Sequence, residues 1–352
     1  MIPNQWYAIL ESNEVPRGRP VGVTRMGEKL VAWRDAQGQV TVMQDLCPHR
    51  GVALSAGKLI GDCVECPFHG FQYDASGRCV LIPANGKNTP VPKAFQVTSY
   101  PTREDHDLIY IWWGGPQPAY PPLPFFTDIG EGFTHSTLRD HWSVHYSRAI
   151  ENQLDVVHLP FVHYNTIGRG GRTLVDGPLT RWAPDEAGRE VLSVWVANRL
   201  DDGTPPRKPG DIPEPERSAF LQFCLPNVWQ LRLSDQARIV LAFAPIDDEN
   251  TMLYLRFYQS FVTMPVIRKL VTLLAMPANA RILRQDKRVV LTQRPKKTDL
   301  RMGEKLVQGD SPIVAYRRRR RELIDAALQA ATTSMNATVK RSNAEPCAVS
   351  RS

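Results

Sequence analysis

Two cysteines and two histidines stand in matched settings near the start of the chain. The sequence reads CPHRG at 47–51 and CPFHG at 66–70, so Cys47 goes with His49 and Cys66 with His69, sixteen residues apart. Each pair has a proline and a glycine beside it, residues that shape tight loops. Two thiolates and two imidazoles can hold a tetrahedral zinc ion. They can equally hold a [2Fe-2S] cluster in which two histidines replace two cysteines on one iron. Spacing by itself leaves both open. Zinc fingers with two cysteines and two histidines carry both histidines on one helix. Here each short loop supplies one of each, which favours the cluster.

A second constellation lies at 151–165, ENQLDVVHLPFVHYN. Asp155 and His158 are three apart and would share one helical face. Pro160 lacks an N–H and clashes with the carbonyl of residue 156, so a helix should end or kink near His158. His163 then comes from the following turn, and the break lets both imidazoles aim at one centre. Two histidines and a carboxylate make the facial triad of non-haem Fe(II) oxygen chemistry, which leaves coordination positions open. Asp286, in the helical run RILRQDKRVVLTQRP at 281–295, is the candidate carboxylate. Asp247, Asp248 and Glu249 are other acidic options, but they sit in a turn and read as surface charge. His135, His141 and His145 read as polar surface or pocket lining.

The elements that must carry these groups divide the chain in two. Residues 1–115 read as short strands parted by turns such as DAQGQ (35–39) and DASGR (74–78), hence a small antiparallel β domain. GPQPAYPPLPFF (115–126) holds five prolines and reads as the boundary. From 116 to 352 a helical pattern at 141–159 is followed by strands near 191–197, 218–225, 228–233, 238–244 and 251–261. A helix from about 264 to 293 follows, with a break expected near Pro277. The polar stretch 201–216 suggests a mobile lid or a disordered excursion. YRRRRRELIDAALQAA (316–331) reads as a surface helix with a solvated arginine start, and the last twenty residues as frayed. The fold class is therefore α+β.

The composition sets further bounds. The chain has 352 residues, 42% hydrophobic and 22% charged, with a formal charge of +7. The basic excess is spread thinly outside Arg317–Arg321, and no aromatic residues alternate with those arginines, so no nucleic-acid partner is expected. No signal-like start and no membrane-length apolar run is visible, which points to the cytoplasm and away from a membrane. Six cysteines are too few for a disulfide scaffold. Cys63 and Cys79 read as buried structural thiols. No GxGxxG nucleotide loop is present. Trp195, Phe223, Trp229 and Phe243 fit either a pocket or a core.

The Cys-x-His, Cys-x2-His spacing with both glycines resembles the Rieske motif of aromatic-ring-hydroxylating and demethylating oxygenases. The pattern N-x-x-D-x-x-H-x4-H, followed over a hundred residues later by Q-D and a downstream glutamine, resembles the catalytic domain of their α subunits, the vanillate-type O-demethylases in particular. The resemblance covers most of the chain. It implies a Rieske β domain with inserted cluster-binding loops, then a helix-grip catalytic domain of antiparallel sheet packed with helices. By it, Cys47 and Cys66 hold one iron of the cluster and His49 and His69 the other. His158, His163 and Asp286 hold a mononuclear Fe(II), and Asn152 sits near them; Gln293 matches a family glutamine without a role. Asp155 would orient His158 and bridge to His69 of the partner subunit within a homotrimer. Val52 and Phe68 stand where respiratory Rieske proteins have bracing cysteines, so no brace is expected. The resemblance further implies O2, a flavin-containing NAD(P)H reductase with or without a ferredoxin, and a small cyclic or aromatic substrate. Monooxygenation, by hydroxylation or oxidative demethylation, is the expected reaction, with cis-dihydroxylation the alternative. A Rieske electron carrier or redox sensor is the reading from another class. It would need only the first hundred or so residues.

Overall fold

The computed structural model describes residues 1–342. The first part is made of eleven short strands in three antiparallel sheets. In chain order they are β1 (Gln5–Glu11), β2 (Val21–Arg25), β3 (Glu28–Arg34), β4 (Val40–Gln44), β5 (Lys58–Ile60), β6 (Cys63–Glu65), β7 (Gln72–Tyr73), β8 (Cys79–Leu81), β9 (Ser99–Tyr100), β10 (Thr102–Asp105) and β11 (Leu108–Trp113). The sheets run β1-β11-β10, β2-β3-β4-β9 and β5-β6-β7-β8. The last carries the two Cys/His loops at its ends and packs Cys47, Cys66, Phe71 and Tyr73 into a small core of their own.

The second part is one seven-stranded antiparallel sheet with helices on it. Its strands are β12 (Thr134–Trp142), β13 (Leu174–Pro184), β14 (Glu190–Arg199), β15 (Leu221–Cys224), β16 (Val228–Ser234), β17 (Ala237–Pro245) and β18 (Thr251–Gln259), in the order β12-β18-β17-β16-β15-β14-β13. The helices are α1 (Tyr146–Leu154), α2 (Leu159–Val162), α3 (Pro265–Val290) and α4 (Ser311–Ser342). An N-terminal β-rich part followed by a helix-packed antiparallel sheet is the α+β organisation expected from the sequence. Strands β12 and β13 escaped it, because THSTLRDHW and LVDGPLTRWAP mix charges into both faces.

Buried charge welds the two parts. Glu11 of β1 meets Arg256 of β18 at 2.9 Å, and both side chains are almost fully buried. Asn227 donates to the Ala8 carbonyl at 2.8 Å and accepts from the Ala8 N–H at 3.2 Å. Removing either partner would strand a polar group in a dry interface, so these contacts fix the relative placement of β1 and the large sheet.

Several expectations need correction. The arginine run lies inside α4, and two of its members are not solvated. Arg317 is buried and makes two bonds to Glu151 of α1, at 2.8 and 2.7 Å, and pairs with Glu304. Arg320 is also buried and donates to the Thr298 carbonyl. Long aliphatic stems let arginine cross a core boundary when a carboxylate waits there. Pro277 lies inside α3 without ending it. Within loop 201–216, the Arg207 N–H donates to Asp176 and the Arg207 carbonyl accepts from Gln308. Cys79 is buried, but Cys63 is only half-buried. The chain is helical to Ser342, so the expected fraying does not begin at 333; residues 343–352 lie outside the described part.

His145 is neither surface nor pocket lining. It is fully buried and caps α1, its Nδ1 accepting from the Ser147 N–H at 3.2 Å. Burial, with Arg320 and Lys297 nearby, lowers its pKa to about 2. A histidine held neutral this way stabilises the fold fully above its unfolded pKa of about 6.5 and loses that contribution as pH falls below it. Between pH ~7.5 and ~5.5 the loss from this one group is on the order of 1 kcal/mol. His145→Asn, which keeps a capping oxygen, should lose that much less stability over the same window in urea unfolding. Equal slopes for both proteins would remove His145 as the cause.

Candidate metal centres

The two Cys/His loops are built to one plan. In the first, the Cys47 N–H bonds to the Val52 carbonyl and the Gly51 N–H to the Cys47 carbonyl, both at 2.9 Å. In the second, Cys66 bonds to Phe71 at 2.8 Å and Gly70 to Cys66 at 3.0 Å. Gly51 and Gly70 both take φ +73°, a left-handed turn that other residues resist. The repeated C-P-x-x-G spacing is the sequence cause of this repeated geometry. Each loop turns its cysteine inward and its histidine outward. Cys47 and Cys66 are buried, while His49 and His69 are exposed with their rings 4.7 Å apart. His49 also stacks on Phe71 at 4.7 Å, nearly parallel. The Tyr73 hydroxyl lies 3.2 Å from the Cys47 sulfur. Burial raises the Cys66 pKa, and the N–H groups of Phe68 and His69 partly offset this by bonding its sulfur. Buried sulfurs met by donors, below paired exposed imidazoles, suit a cluster bound half in protein and half at the surface.

The second centre begins where α1 stops. Helix α1 ends at Leu154, and Asp155 is already extended at φ −72°, ψ 117°. The break therefore comes a turn earlier than the sequence suggested. Asp155 lies past the helix rather than on one face with His158. Pro160 opens α2 instead of closing α1, a place where its missing N–H costs nothing. Asp155 Oδ1 accepts from the N–H groups of Val157 (2.7 Å) and His158 (3.1 Å), which folds the chain back on itself.

That turn fixes the ring of His158. Its Nδ1 lies 2.9 Å from the Asp155 main-chain carbonyl, while the Asp155 carboxylate stands 3.7 Å away. A carbonyl can only accept, so Nδ1 carries a proton, and in the neutral ring Nε2 is the atom left with a lone pair. His163 is set the same way by another route. Its Nδ1 donates to Gln285 Oε1 at 2.9 Å, and Gln285 Nε2 in turn donates to Asn165 at 2.7 Å, which settles which end of the amide faces the ring. Both free Nε2 atoms face Asp286 Oδ1, at 3.4 Å from His158 and 3.0 Å from His163. The three ligand atoms lie within 4.8 Å of one another.

Asp286 Oδ1 is buried and has no hydrogen-bond partner. Burial tends to raise its pKa, but the two imidazoles outweigh that and hold it at about 2. Burial would lower the pKa of His158; the carboxylates of Asp155 and Asp286 win and push it up to about 10. A buried anion facing two imidazole nitrogens fixed by carbonyl groups behind them is what a divalent cation satisfies. The residues fit a mononuclear iron with two histidines and one carboxylate. Gln285 is the functional residue that sequence reasoning passed over, although it stands beside Asp286 in the quoted Q-D pair. Gln293 is exposed beyond the end of α3. Asn152 is half-buried on α1, one turn before Asp155, and its Nδ2 is buried without a partner. Asp247, Asp248 and Glu249 lie in the β17–β18 turn, away from the triad.

The triad forms one wall of a cavity of about 320 Å³. Its other walls are mostly aliphatic, from Leu159 and Val196 to Leu241, Leu255 and Leu283. Of the four aromatics weighed in the sequence, only Trp229 lines it. Phe223 and Phe243 are core, and Trp195 faces Arg181 and the Arg217 carbonyl. Among the described residues, no hydrogen bond or ion pair joins the Cys/His loops to Asp155 or the triad. No helix there is long and apolar enough to cross a membrane.

Comparison with known proteins places both centres in one lineage. Residues 5–101 match the family described as the Rieske [2Fe-2S] domain. Residues 142–326, just over half of the chain, match the vanillate O-demethylase oxygenase C-terminal domain. The iron-sulfur subunit TsaM1 of the toluene-4-sulfonate monooxygenase system of Comamonas testosteroni is 30% identical over 204 residues, 56% of either chain. Aminopyrrolnitrin oxygenase PrnD of Pseudomonas fluorescens is 34% identical over 203 residues, 56% of this chain and 55% of its own. The chain spans about half the length of these curated relatives. Among solved structures, the NdmA QL mutant of Pseudomonas putida CBB5 with theobromine superposes with a TM-score of 0.72 at 22% identity, covering 93% of this chain and 92% of that one. Dicamba monooxygenase bound to dicamba gives 0.69 at 20%, over 94% and 99%. At such identity the likeness speaks for the fold.

The fixed tautomers generate a test that needs no substrate. Gln285→Leu should weaken Fe(II) or Co(II) binding by about 10–100-fold, the usual effect of removing a ligand's supporting partner. Gln293→Leu should leave it unchanged. Metal titration of the iron-depleted protein reads both, and equal affinities in the two variants would mean Gln285 does not hold His163 for a metal.

Proposed function

Because the chain belongs to the Rieske oxygenases of the vanillate O-demethylase kind, we propose that it is the terminal oxygenase of a short electron-transfer system, adding oxygen from O2 to a small, largely apolar molecule. The observation that carries this reading is that the iron triad is itself a wall of the apolar cavity. Cys47 and Cys66 take one iron of a [2Fe-2S] cluster, His49 and His69 the other. We place the division between the cluster-bearing part, 1–115, and the catalytic part, 116–352, at the proline-rich segment. When bound, the cluster and Fe(II) supply electrons one at a time and the reduction of O2.

The chain's own groups do the rest. The Asp155 carbonyl and Gln285 keep Nε2 of each histidine aimed inward. Aliphatic walls keep water from the centre. Asp155 Oδ1 is engaged by two amides, which leaves Oδ2 without a partner among the described residues. We assign that oxygen to His69 of the partner subunit in a closed ring of three chains, so that the carboxylate links the two centres. The exposed position of His49 and His69 supports this, and among the described residues neither makes a hydrogen bond or ion pair to Asp155. Asn152, with its unpartnered amide, is assigned to positioning α1 against that interface.

Monooxygenation, by hydroxylation or oxidative demethylation, fits the vanillate O-demethylase match. Relatives named for toluene-4-sulfonate, aminopyrrolnitrin and chloroacetanilide point to no one substrate. The likeness to carbazole 1,9a-dioxygenase keeps dihydroxylation as the second reading. The electron donor is a flavin-containing NAD(P)H reductase, with or without a ferredoxin, steered by the basic surface. A cytoplasmic setting fits the free cysteines among the described residues.

Metal content tests the assignment. The loaded protein should hold about three irons and two labile sulfides per chain, and Asp286→Ala should lose about one iron and no sulfide. Zinc without sulfide would end the reading. Asp155→Asn should keep both metals and its trimer yet reoxidise its reduced cluster far more slowly with O2 and substrate; parent-rate reoxidation in stopped flow would sink the bridge.

A further inference from the structure

The cavity beside the triad has a charge pattern as well as a shape. Its lining includes Asp155 and Asp286 but no lysine or arginine. A divalent cation on the triad is balanced by those two carboxylates. Nothing in the lining is left to neutralise an anionic substrate, and an unpaired carboxylate or sulfonate in an apolar cavity is strongly disfavoured. Arg169 and Arg172 line only the outer vestibule, which shares Leu159, Val196 and Phe220 with the inner cavity.

The polar groups that remain in the lining are amides. Asn279 donates its Nδ2 to the Ala275 carbonyl at 2.9 Å, and Asn198 donates its own to the Val156 carbonyl at 3.3 Å. A carbonyl can only accept, so each amide orientation is set, with one of the two N–H groups of each nitrogen engaged. The oxygens have no protein partner among the described residues and can receive a donor from a ligand, while each nitrogen keeps one further N–H. Gln153 has no protein partner there either and can turn either end inward. Asn279 lies seven residues before Asp286 on α3. That is two helical turns on the same face, about 10 Å along the axis. A group held by Asn279 therefore leaves the other end of a ring-sized molecule toward the iron ligands.

Resting on the oxygenase reading above, we propose that this cavity selects a neutral substrate with an apolar body and a hydrogen-bond donor, an O–H or N–H, received by the side-chain oxygen of Asn279 with Asn198 at the mouth, and that it excludes carboxylates and sulfonates. Oxidation falls on the end remote from that donor.

Three probes of one shape separate these features: 2-naphthol, 2-methoxynaphthalene and 2-naphthoate. Their binding to the iron-loaded, oxygen-free protein is followed by naphthalene fluorescence, which requires no turnover. The naphthol should bind about tenfold more tightly than the methoxy compound, and about a hundredfold more tightly than the carboxylate. Asn279→Leu should bring the first two to equal affinity without weakening the methoxy compound. Asn279→Asp keeps an acceptor and should preserve the naphthol preference, which guards against a fold defect in the leucine variant. Naphthoate binding as tightly as naphthol, no binding by any neutral probe, or a naphthol preference untouched in Asn279→Leu would each overturn the proposal. Those failures leave the metal counts unaltered, whereas failure of the oxygenase reading shows in the metal counts themselves.

Discussion

Everything at the catalytic end of this molecule depends on one unsatisfied oxygen. Asp286 Oδ1 is buried, without a hydrogen bond, against the Nε2 atoms of two imidazoles whose Nδ1 atoms are each held on the far side of the ring. Left empty, the arrangement can relax only by moving a proton onto a ring, which is why His158 is driven so basic. A divalent cation resolves all three groups at once. The fold thus keeps an unfavourable cluster of lone pairs in place so that a metal will be the most stable occupant.

Holding such a cluster requires rigid supports, and they come from buried and half-buried ion pairs as well as from apolar packing. Arg317 of α4 grips Glu151 of α1 with two bonds, and Arg148 reaches both Glu151 and Glu304. The Glu151 carbonyl in turn receives the Asp155 N–H at 2.9 Å, at the point where the chain leaves α1. Asp140 of β12 pairs with Lys287 at 2.6 Å, next to Asp286. The first ligand-bearing segment is therefore clamped seven residues before His158, and α3 one residue after Asp286. Such pairs need not add net stability. Their worth here is a fixed position for α1 and α3.

The ligands were legible in the sequence because metal chemistry restricts residue type and spacing so tightly. The repeated C-P-x-x-G loops announced a repeated geometry, and two histidines across a proline announced a turn. What was not legible was set by distant partners. Arg317 looks like surface charge until Glu151 is seen opposite it. Gln285 looks like helix surface until His163 arrives from over a hundred residues away. The exact end of α1 was missed because Asp155 leaves the helix to bond two amides ahead of it, a local competition that periodicity does not register. The aromatics that fitted either a pocket or a core divided, with Trp229 on the mostly aliphatic cavity wall and Phe223 and Phe243 turned inward to the core.

The central claim is that oxygen is activated at the triad with electrons delivered through the cluster. The most direct measurement is a single turnover of the fully reduced protein with isotopically labelled O2 and an accepted substrate, following the label in the product and the cluster's visible absorbance together. The account predicts product carrying oxygen from O2, formed as the cluster becomes oxidised. Product oxygen drawn from water, or cluster oxidation with no labelled product from any accepted substrate, would contradict it.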